Sequence, residues 1–412
     1  MGGPTVEELL RRLAPQVLGA LVRRYGHFDT AEDATQEALI AAATGWPRDG
    51  LPANPRGWLI TVASRRLTDL LRAEQARRRR EDVVGRRVVA EWRLAPSGHR
   101  SPDSDDSLIL LFLCCHPSLS PAAQVALTLR AVGGLSTAEV ARAFLVPEQT
   151  MIRRISRGKQ RIRDSGLPFA MPDPAELPGR LAAVLRVLYL VFNEGYASTS
   201  GPGLLRADLC AEAIRLTRLL RRSMPDAAEV TGLLALLLLT DARAPARTGP
   251  HGELIPMAEQ DRSRWRADQI AEGTALVVAA LRRGPPGPYQ VQAAIAALHD
   301  EASGPEQTDW PQIAMLYEVL TTMDASPLVA LNRAVAVAMA DGPDAGLALV
   351  EKVVADGRLA RDVRLPAVRA HLLERRGDPA AARAEYRTAA ARATNLAQQR
   401  YLNARADRLT DG

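Results

Sequence analysis

Residues 136–163 read STAEVARAFLVPEQTMIRRISRGKQRIR, and this stretch decides the fold class. Ser136-Thr137-Ala138-Glu139 has the form of a capping box: the serine oxygen accepts from an amide three residues on, and the glutamate reaches back to the cap amide. Leu145-Val146-Pro147 makes a tight turn, because proline has no N–H and disfavours the α conformation in the residue before it. The second helix starts at Pro147 and carries Arg153, Arg154, Arg157, Lys159, Arg161 and Arg163. Val140, Ala141 and Phe144 on the shorter helix are expected to pack on Met151, Ile152 and Ile155, the apolar contact that fixes the angle of a helix-turn-helix. Glu148, Gln149 and Thr150 open the longer helix, where base edges are read in such a motif, and Arg153, Arg154 and Arg157 follow on its exposed side. Gly158 costs up to about 1 kcal/mol relative to alanine, so disturbed geometry is expected beyond it.

A second basic helix lies upstream, running from Asn54-Pro55-Arg56-Gly57-Trp58 to Arg72 and on to Arg77-Arg78-Arg79-Arg80. Arg65, Arg66 and Arg72 are candidates for DNA contact, and Trp58 reads first as a core anchor. The four terminal arginines point around the helix and supply diffuse phosphate attraction. Ahead of it, Gly26 ends a first helix and Asp29-Thr30-Ala31-Glu32 has a capping-box-like form for the next. Ala34, Ala38, Leu39 and Ala42 share one face of that helix, while Asp33, Gln36 and Glu37 lie on another. Trp46-Pro47 is expected to stop it, with Pro47 to Pro55 as a loop. Two separated cationic helices on one chain point to a protein that grips nucleic acid at two places.

The 412 residues allow two or three domains, and 47% hydrophobic with 24% charged residues is ordinary globular composition. Only 4% of residues are aromatic while Ala, Leu and Arg dominate, which predicts an all-α protein. The formal charge of +6 fits an anionic partner. Met1 to Leu10 holds Glu7 and Glu8 and no long apolar run, so no signal peptide is expected. The longest apolar stretch, Leu233 to Leu239, falls short of the roughly 20 residues that cross a bilayer. Cys114, Cys115 and Cys210 are few and odd in number, consistent with a reducing cytoplasm. Cys114-Cys115-His116 has adjacent ligands and no matching second pair, so no metal is expected, and no cofactor either. Asn193-Glu194-Gly195-Tyr196 reads as a helix turn. Glu194 and Asp261 could form an acidic pair, but the chain has no phosphate loop and no nucleophile partnered by histidine, so it is not read as an enzyme.

Four segments emerge. Residues 1–80 form the three-helix unit, and 81–106 an acidic linker whose Ser97 to Asp106 portion is polar and rich in turn formers. Residues 107–171 form the helix-turn-helix unit, and 172–412 a long helical region. Near the C-terminus Ala336, Ala348 and Ala355 recur as Ala370, Ala382 and Ala389, at the 34-residue period of tetratricopeptide repeats. Gly377 marks the turn between paired helices, Tyr386 takes the bulky position, and Gly342 stands one residue out of register. A helical solenoid is the expected architecture there.

The first 170 residues resemble an extracytoplasmic-function (ECF) sigma factor, with both domains in order and a variable linker between them. Asp33-Ala34-Thr35-Gln36-Glu37-Ala38-Leu39 is similar to the family's polymerase-binding helix, Trp58 to Arg72 to its −10 segment, and Thr137 to Arg163 to its −35 reader. The resemblance implies that Asp33, Gln36 and Glu37 dock on core RNA polymerase and that Trp58, Arg65, Arg66 and Arg72 face melted −10 DNA. It implies that Glu148, Gln149, Thr150, Arg153, Arg154 and Arg157 face −35 promoter DNA. The remainder resembles the tetratricopeptide-like extension of one subgroup, through Leu190 to Tyr196, Asp261 to Trp265, Gly287 to Gln290 and Leu328 to Ala336. Such a domain would modulate activity through an intramolecular or peptide partner, with no membrane involved. Two other readings stand beside this one: a one-component regulator with a ligand- or peptide-sensing repeat domain, and a hydrolase or transferase acting on nucleic acid.

Overall fold

The computed structural model describes residues 5–81, 106–144, 146–166, 168–198 and 203–409. They form eighteen α-helices with short single-turn helices between them and no strand, so the fold is all-α. Residues 82–105 of the expected linker and the side chains of Arg77 to Arg80 lie outside the described residues. Two compact units divide the chain, Met1–Leu190 and Val191–Gly412.

In the first unit, α1 (Val6–Tyr25), α2 (Phe28–Asp49) and α3 (Pro55–Glu81) pack on one another. Their core joins Val17, Leu18 and Leu21 of α1 to Ala31, Ala34, Ala38 and Ala42 of α2 and Leu59, Ala63 and Leu67 of α3. The alanines keep one face of α2 flat, so the larger residues of its neighbours can close on it. Both expected ends of α2 need correction. It begins at Phe28, and the His27 side chain at the cap does not bond the first-turn amides, so Asp29–Glu32 is not a capping box. Buried Phe28 fixes that first turn, and Glu32 is drawn elsewhere. At the far end the helix passes through Trp46-Pro47 to Asp49 and stops at Gly50, whose φ of 84° suits glycine. Buried Trp46 meets Trp58 edge to face with ring centroids 5.4 Å apart, which holds this last turn despite the missing proline donor.

The helix-turn-helix follows from α4 (Ser107–Cys114), α5 (Pro121–Leu127), α6 (Thr137–Ala143) and α7 (Glu148–Asp164). The capping box at α6 is formed: Ser136 N–H donates to Glu139 Oε2 at 2.7 Å, and Glu139 N–H donates to Ser136 Oγ at 3.2 Å. Met151 and Ile155 are buried as expected, but Ile152, a helical step of about 100° from Met151, is 38% exposed. The disturbance expected after Gly158 is absent, and α7 runs unbroken to Asp164. Gly158 is buried there because a Cβ would lie 2.8 Å from Leu127 Cδ1 on α5. Gly158→Leu is therefore expected to destabilise this unit by about 1–3 kcal/mol through overpacking, larger than its helix-propensity gain, as read by urea denaturation. An unchanged midpoint would mean that α5 and α7 are not held this close.

Cys114 and Cys115 are core residues, and burial pushes the Cys115 thiol up to about 12. His116 Nδ1 lies 2.6 Å from Ser118 Oγ. Among the described residues no group of three or more His, Cys, Asp or Glu is placed to hold a metal, and no helix is long and apolar enough to cross a membrane. Arg180, near the start of α8 (Leu177–Tyr196), donates to the Phe112 carbonyl at 2.8 Å.

In the second unit, α10 (Ala228–Ala242) is enclosed by α9 (Ala207–Ser223), α11 (Ala267–Leu281) and α12 (Pro288–Glu301). Every residue from Val230 to Leu239 is buried, so the longest apolar stretch of the sequence is a central helix hydrophobic all round. Gly232 lets the backbone of Gln290 approach, and Glu229 accepts from the N–H groups of Tyr289 and Gln290 at the start of α12. Between α10 and α11 the chain is pinned by arginines. Arg243 pairs with Asp300 at 2.6 Å, Arg262 donates to the His299 carbonyl at 2.8 Å, and both guanidinium groups lie by the Trp265 ring. Glu194 accepts from Ser198 at 3.3 Å, while Asp261 caps Ser263 N–H at 3.0 Å, so these carboxylates serve separate turns.

The remaining helices are α13 (Trp310–Met323), α14 (Pro327–Asp341), α15 (Pro343–Asp356), α16 (Arg364–Arg376), α17 (Pro379–Arg392) and α18 (Leu396–Arg408), each packed on the next. The 34-residue alanine register needs correction. Ala382 and Ala389 are buried, but their expected counterparts Ala348 and Ala355 are exposed. The buried residues of α15 are Gly346, Leu347, Val350 and Val353; Gly346, Val350 and Val353 stand thirty-six positions before Ala382, Tyr386 and Ala389, and the opening prolines Pro343 and Pro379 share that spacing. Ala336 and Ala370 are both buried at the 34-residue spacing, so that register holds between α14 and α16 and lengthens by two residues between α15 and α17.

Candidate nucleic-acid interface

The first three turns of α7 present Glu148, Gln149, Thr150, Arg153 and Arg157 to solvent, with Arg154 half-buried. Buried Met151 and Ile155 hold the opposite side, so these outward positions are fixed by packing rather than by their own bonds. Among the described residues Arg153, Arg154 and Arg157 make no ion pair, which leaves their guanidinium donors available to an acceptor. A second cationic surface lies on α3. Arg65, Arg66 and Arg72 are exposed, with Arg66 3.4 Å from Glu37 and Arg72 3.8 Å from Asp69. Such solvated pairs are worth about 0–1 kcal/mol and yield easily to phosphate. Trp58 is half-buried on Trp46, an anchor with one side accessible.

The residues of α2 divide differently from expectation. Asp33 and Glu37 are exposed, but Gln36 is only 8% exposed, with Nε2 3.5 Å from the Arg130 carbonyl. Asp33 accepts from Lys159 Nζ at 2.6 Å. Lys159 thus departs from the solvent-facing basic series: it is buried, with Glu32 Oε2 also at 2.6 Å and Asp29 Oδ1 at 3.4 Å. Arg130 Nε reaches the other oxygen of Glu32 at 2.7 Å, and Arg163 pairs with Asp29. Arg130 sits in a widened turn after α5, where Gly133 N–H bonds back to the Thr128 carbonyl at 3.0 Å. Burial pushes the Glu32 carboxyl up against the pull of Lys159 and Arg130. Burial alone would lower Lys159, but Glu32 and Asp33 hold its ammonium above the ordinary range.

The sequence pattern did not reveal this cluster. Its one local trace is the spacing of Asp29, Glu32, Asp33 and Gln36, which sets all four on adjoining strips of a helix. The other trace is that Lys159 is one of only two lysines among the 53 basic residues.

Comparison with known proteins bears on the same segments. Residues 9–77 match the family described as Sigma-70 region 2, and residues 109–162 the one described as Sigma-70, region 4. Residues 180–281 match a family of unknown function, DUF6596. An uncharacterized protein of Rhizobium meliloti, R00370, is 44% identical over 397 residues, covering 96% of this chain and 93% of the relative. The chain belongs to the family of R00370. It carries segments that match sigma-70 regions 2 and 4, in that order. The ECF RNA polymerase sigma factor SigE of Mycolicibacterium smegmatis is 27% identical over 164 residues, 39% of this chain and 61% of the relative. The probable ECF RNA polymerase sigma factor SigI of Mycobacterium tuberculosis is 29% identical over 163 residues, 37% of this chain and 52% of the relative. No solved structure matches the chain. Region 2 thus coincides with α1–α3, and region 4 with α4–α7.

Proposed function

We propose that this protein is an alternative sigma factor that binds core RNA polymerase, directs it to specific promoters and supports −10 melting. In this reading Asp33, Gln36 and Glu37 of α2 dock on polymerase, while Trp58, Arg65, Arg66 and Arg72 of α3 hold the melted −10 strand. Glu148, Gln149, Thr150, Arg153, Arg154 and Arg157 read the −35 duplex. The observation that carries the proposal is the pairing of two cationic surfaces, on α3 and on the N-terminal half of α7, in segments that match region 2 and region 4. Arginine can bond guanine through two donors and glutamine adenine, and phosphate contacts add affinity that falls with salt. The proposed domains are residues 1–80, 107–171 and 172–412, with 81–106 as the tether that raises the effective concentration of one DNA reader once the other is bound.

The helical region beyond residue 190 would modulate this activity, through the sigma domains or a peptide. A cavity of about 240 Å³ beside the turns that lead into α14 and out of α15 is lined by cations and carboxylates together, Arg333, Lys352 and Arg358 with Asp324 and Asp356, and suits a polar peptide segment. The cytoplasm is the proposed compartment, where polymerase is found.

In vitro transcription with bacterial core polymerase tests the proposal on fragments of the source genome. Defined new start sites are expected with the wild-type chain. Arg153→Ala and Arg157→Ala should each cost about 1–3 kcal/mol of promoter binding if they bond a base, and less, with a shallower salt dependence, if they contact phosphate. Specific promoter binding without core polymerase would instead favour a one-component regulator.

A further inference from the structure

We propose that Ile152 of α7 is a specificity residue that reads the C5-methyl group of a thymine in the −35 duplex. Its role rests on the −35 reading proposed for the N-terminal half of α7, and adds an apolar contact to the charged and amide side chains named there.

The fold turns this side chain outward among polar ones. Ile152 is 38% exposed, while Met151 and Ile155 are buried and fix the rotation of α7. From Glu148 to Arg157 the other exposed side chains are polar, Gln149, Arg153 and Ser156 among them. Among the described residues of α7, Ile152 is thus the one exposed large hydrophobic group. A single exposed isoleucine is ordinary on a protein surface, and it is the position on the recognition helix that gives this one a task. Isoleucine also forms helix less readily than the glutamine, glutamate and arginine around it, so helix propensity does not account for it. Ile152 stands three residues after Gln149 and four after Glu148, which makes it their neighbour on the helix surface, with Cβ atoms about 5–6 Å apart. That distance spans one to two base steps of about 3.4 Å.

Thymine is the base that offers an apolar group in the major groove, its C5-methyl. An aliphatic side chain has neither donor nor acceptor. Against the amino group of cytosine or adenine, or the acceptors of guanine, it removes water and returns no bond. Against the thymine methyl both partners leave water together, which favours thymine over the other bases. The polar neighbours cannot supply this discrimination, since Gln149 matches the N6/N7 edge of adenine and Arg153 suits guanine or phosphate. Gln149 and Ile152 together select a step that contains A·T. The methyl contact displaces no counterion, so its contribution is independent of salt, unlike that of the arginines.

Promoter fragments from the transcription assay test the contact when each −35 thymine is replaced in turn by deoxyuridine, because uracil differs from thymine only in lacking the methyl. Binding of the full chain with core polymerase is measured at low temperature, where the duplex stays closed. With the wild type, replacement at one or two positions should raise the half-saturating concentration about three- to fivefold, the effect of losing one buried methyl. Ile152→Ala should bind the thymine fragment more weakly by the same factor, lose nothing further on uracil at those positions, and keep its salt dependence. Ile152 is exposed, so alanine there leaves the core of the unit intact. Uracil tolerated at every position by the wild type overturns the inference, and so does a −35 segment without thymine on either strand. An Ile152→Ala chain as sensitive to uracil as the wild type also overturns it, because another residue then reads the methyl. Absence of any promoter-specific complex with core polymerase overturns the −35 role of α7, and the role of Ile152 with it.

Discussion

Lys159→Met is expected to weaken the coupling between regions 2 and 4 by about 3 kcal/mol, the low end of what removing one partner of a buried ion pair costs. The low end applies because Arg130 still reaches Glu32 at 2.7 Å after the lysine is gone. Asp33 loses its bonded ammonium but is exposed enough to be hydrated. Combining Lys159→Met with Glu32→Leu should recover only part of the loss, since Arg130, 12% exposed, is then left without its carboxylate. Urea denaturation of the wild type, the two single variants and the double variant gives the pairwise energy as a double-mutant cycle. A loss below about 1 kcal/mol for Lys159→Met, the size typical of exposed pairs, would show that the cluster is solvated and that the regions are held together by something else.

Leu234→Ala should cost about 2–5 kcal/mol, confined to the second unit. Leu234 is 1% exposed at the centre of α10, with buried neighbours throughout that helix, so the space it leaves has little means to collapse. Trp265 and Trp310 report unfolding of this unit, and their fluorescence transition should move to lower urea. Met315→Ala on α13, where the side chain is 62% exposed, is the control and should shift stability by no more than about 0.5 kcal/mol. If the two variants behave alike, α10 is not the centre of this unit.

Local chemistry was the legible part of this chain. Ser136 and Glu139 lie three residues apart, and their mutual bonding is decided by that spacing, so the start of α6 could be read and its capping box is formed. Met151 and Ile155 follow from the same short-range periodicity. The misreadings share another origin. Asp29 and Glu32 satisfy a capping pattern, yet Glu32 is committed to Lys159 and Arg130, far along the chain. Gly158 looks like a helix weakness until Leu127 on α5 is brought against it. Pro47 looks like a stop until Trp46 and Trp58 hold the turn around it. At the candidate site the outward arginines of α7 were legible because amphipathic spacing separates them from Met151 and Ile155. Lys159 was not, because the face that buries it belongs to α2. In α15 and α17, glycine, valine and tyrosine occupy matching buried positions, so a search for recurring alanine could not find the spacing of that pair.

The enclosure of α10 also bears on how chains of this family can change in length. A helix surrounded by α9, α11 and α12 cannot lose any one of them without exposing a nearly continuous leucine surface. The helices from α13 onward pack mainly on their sequence neighbours, so a hairpin added or removed at that end alters one joint and leaves the others in place. Insertions and deletions of about one hairpin should therefore accumulate among relatives after α13, while the segment from α9 to α12 keeps its length and evolves by substitution.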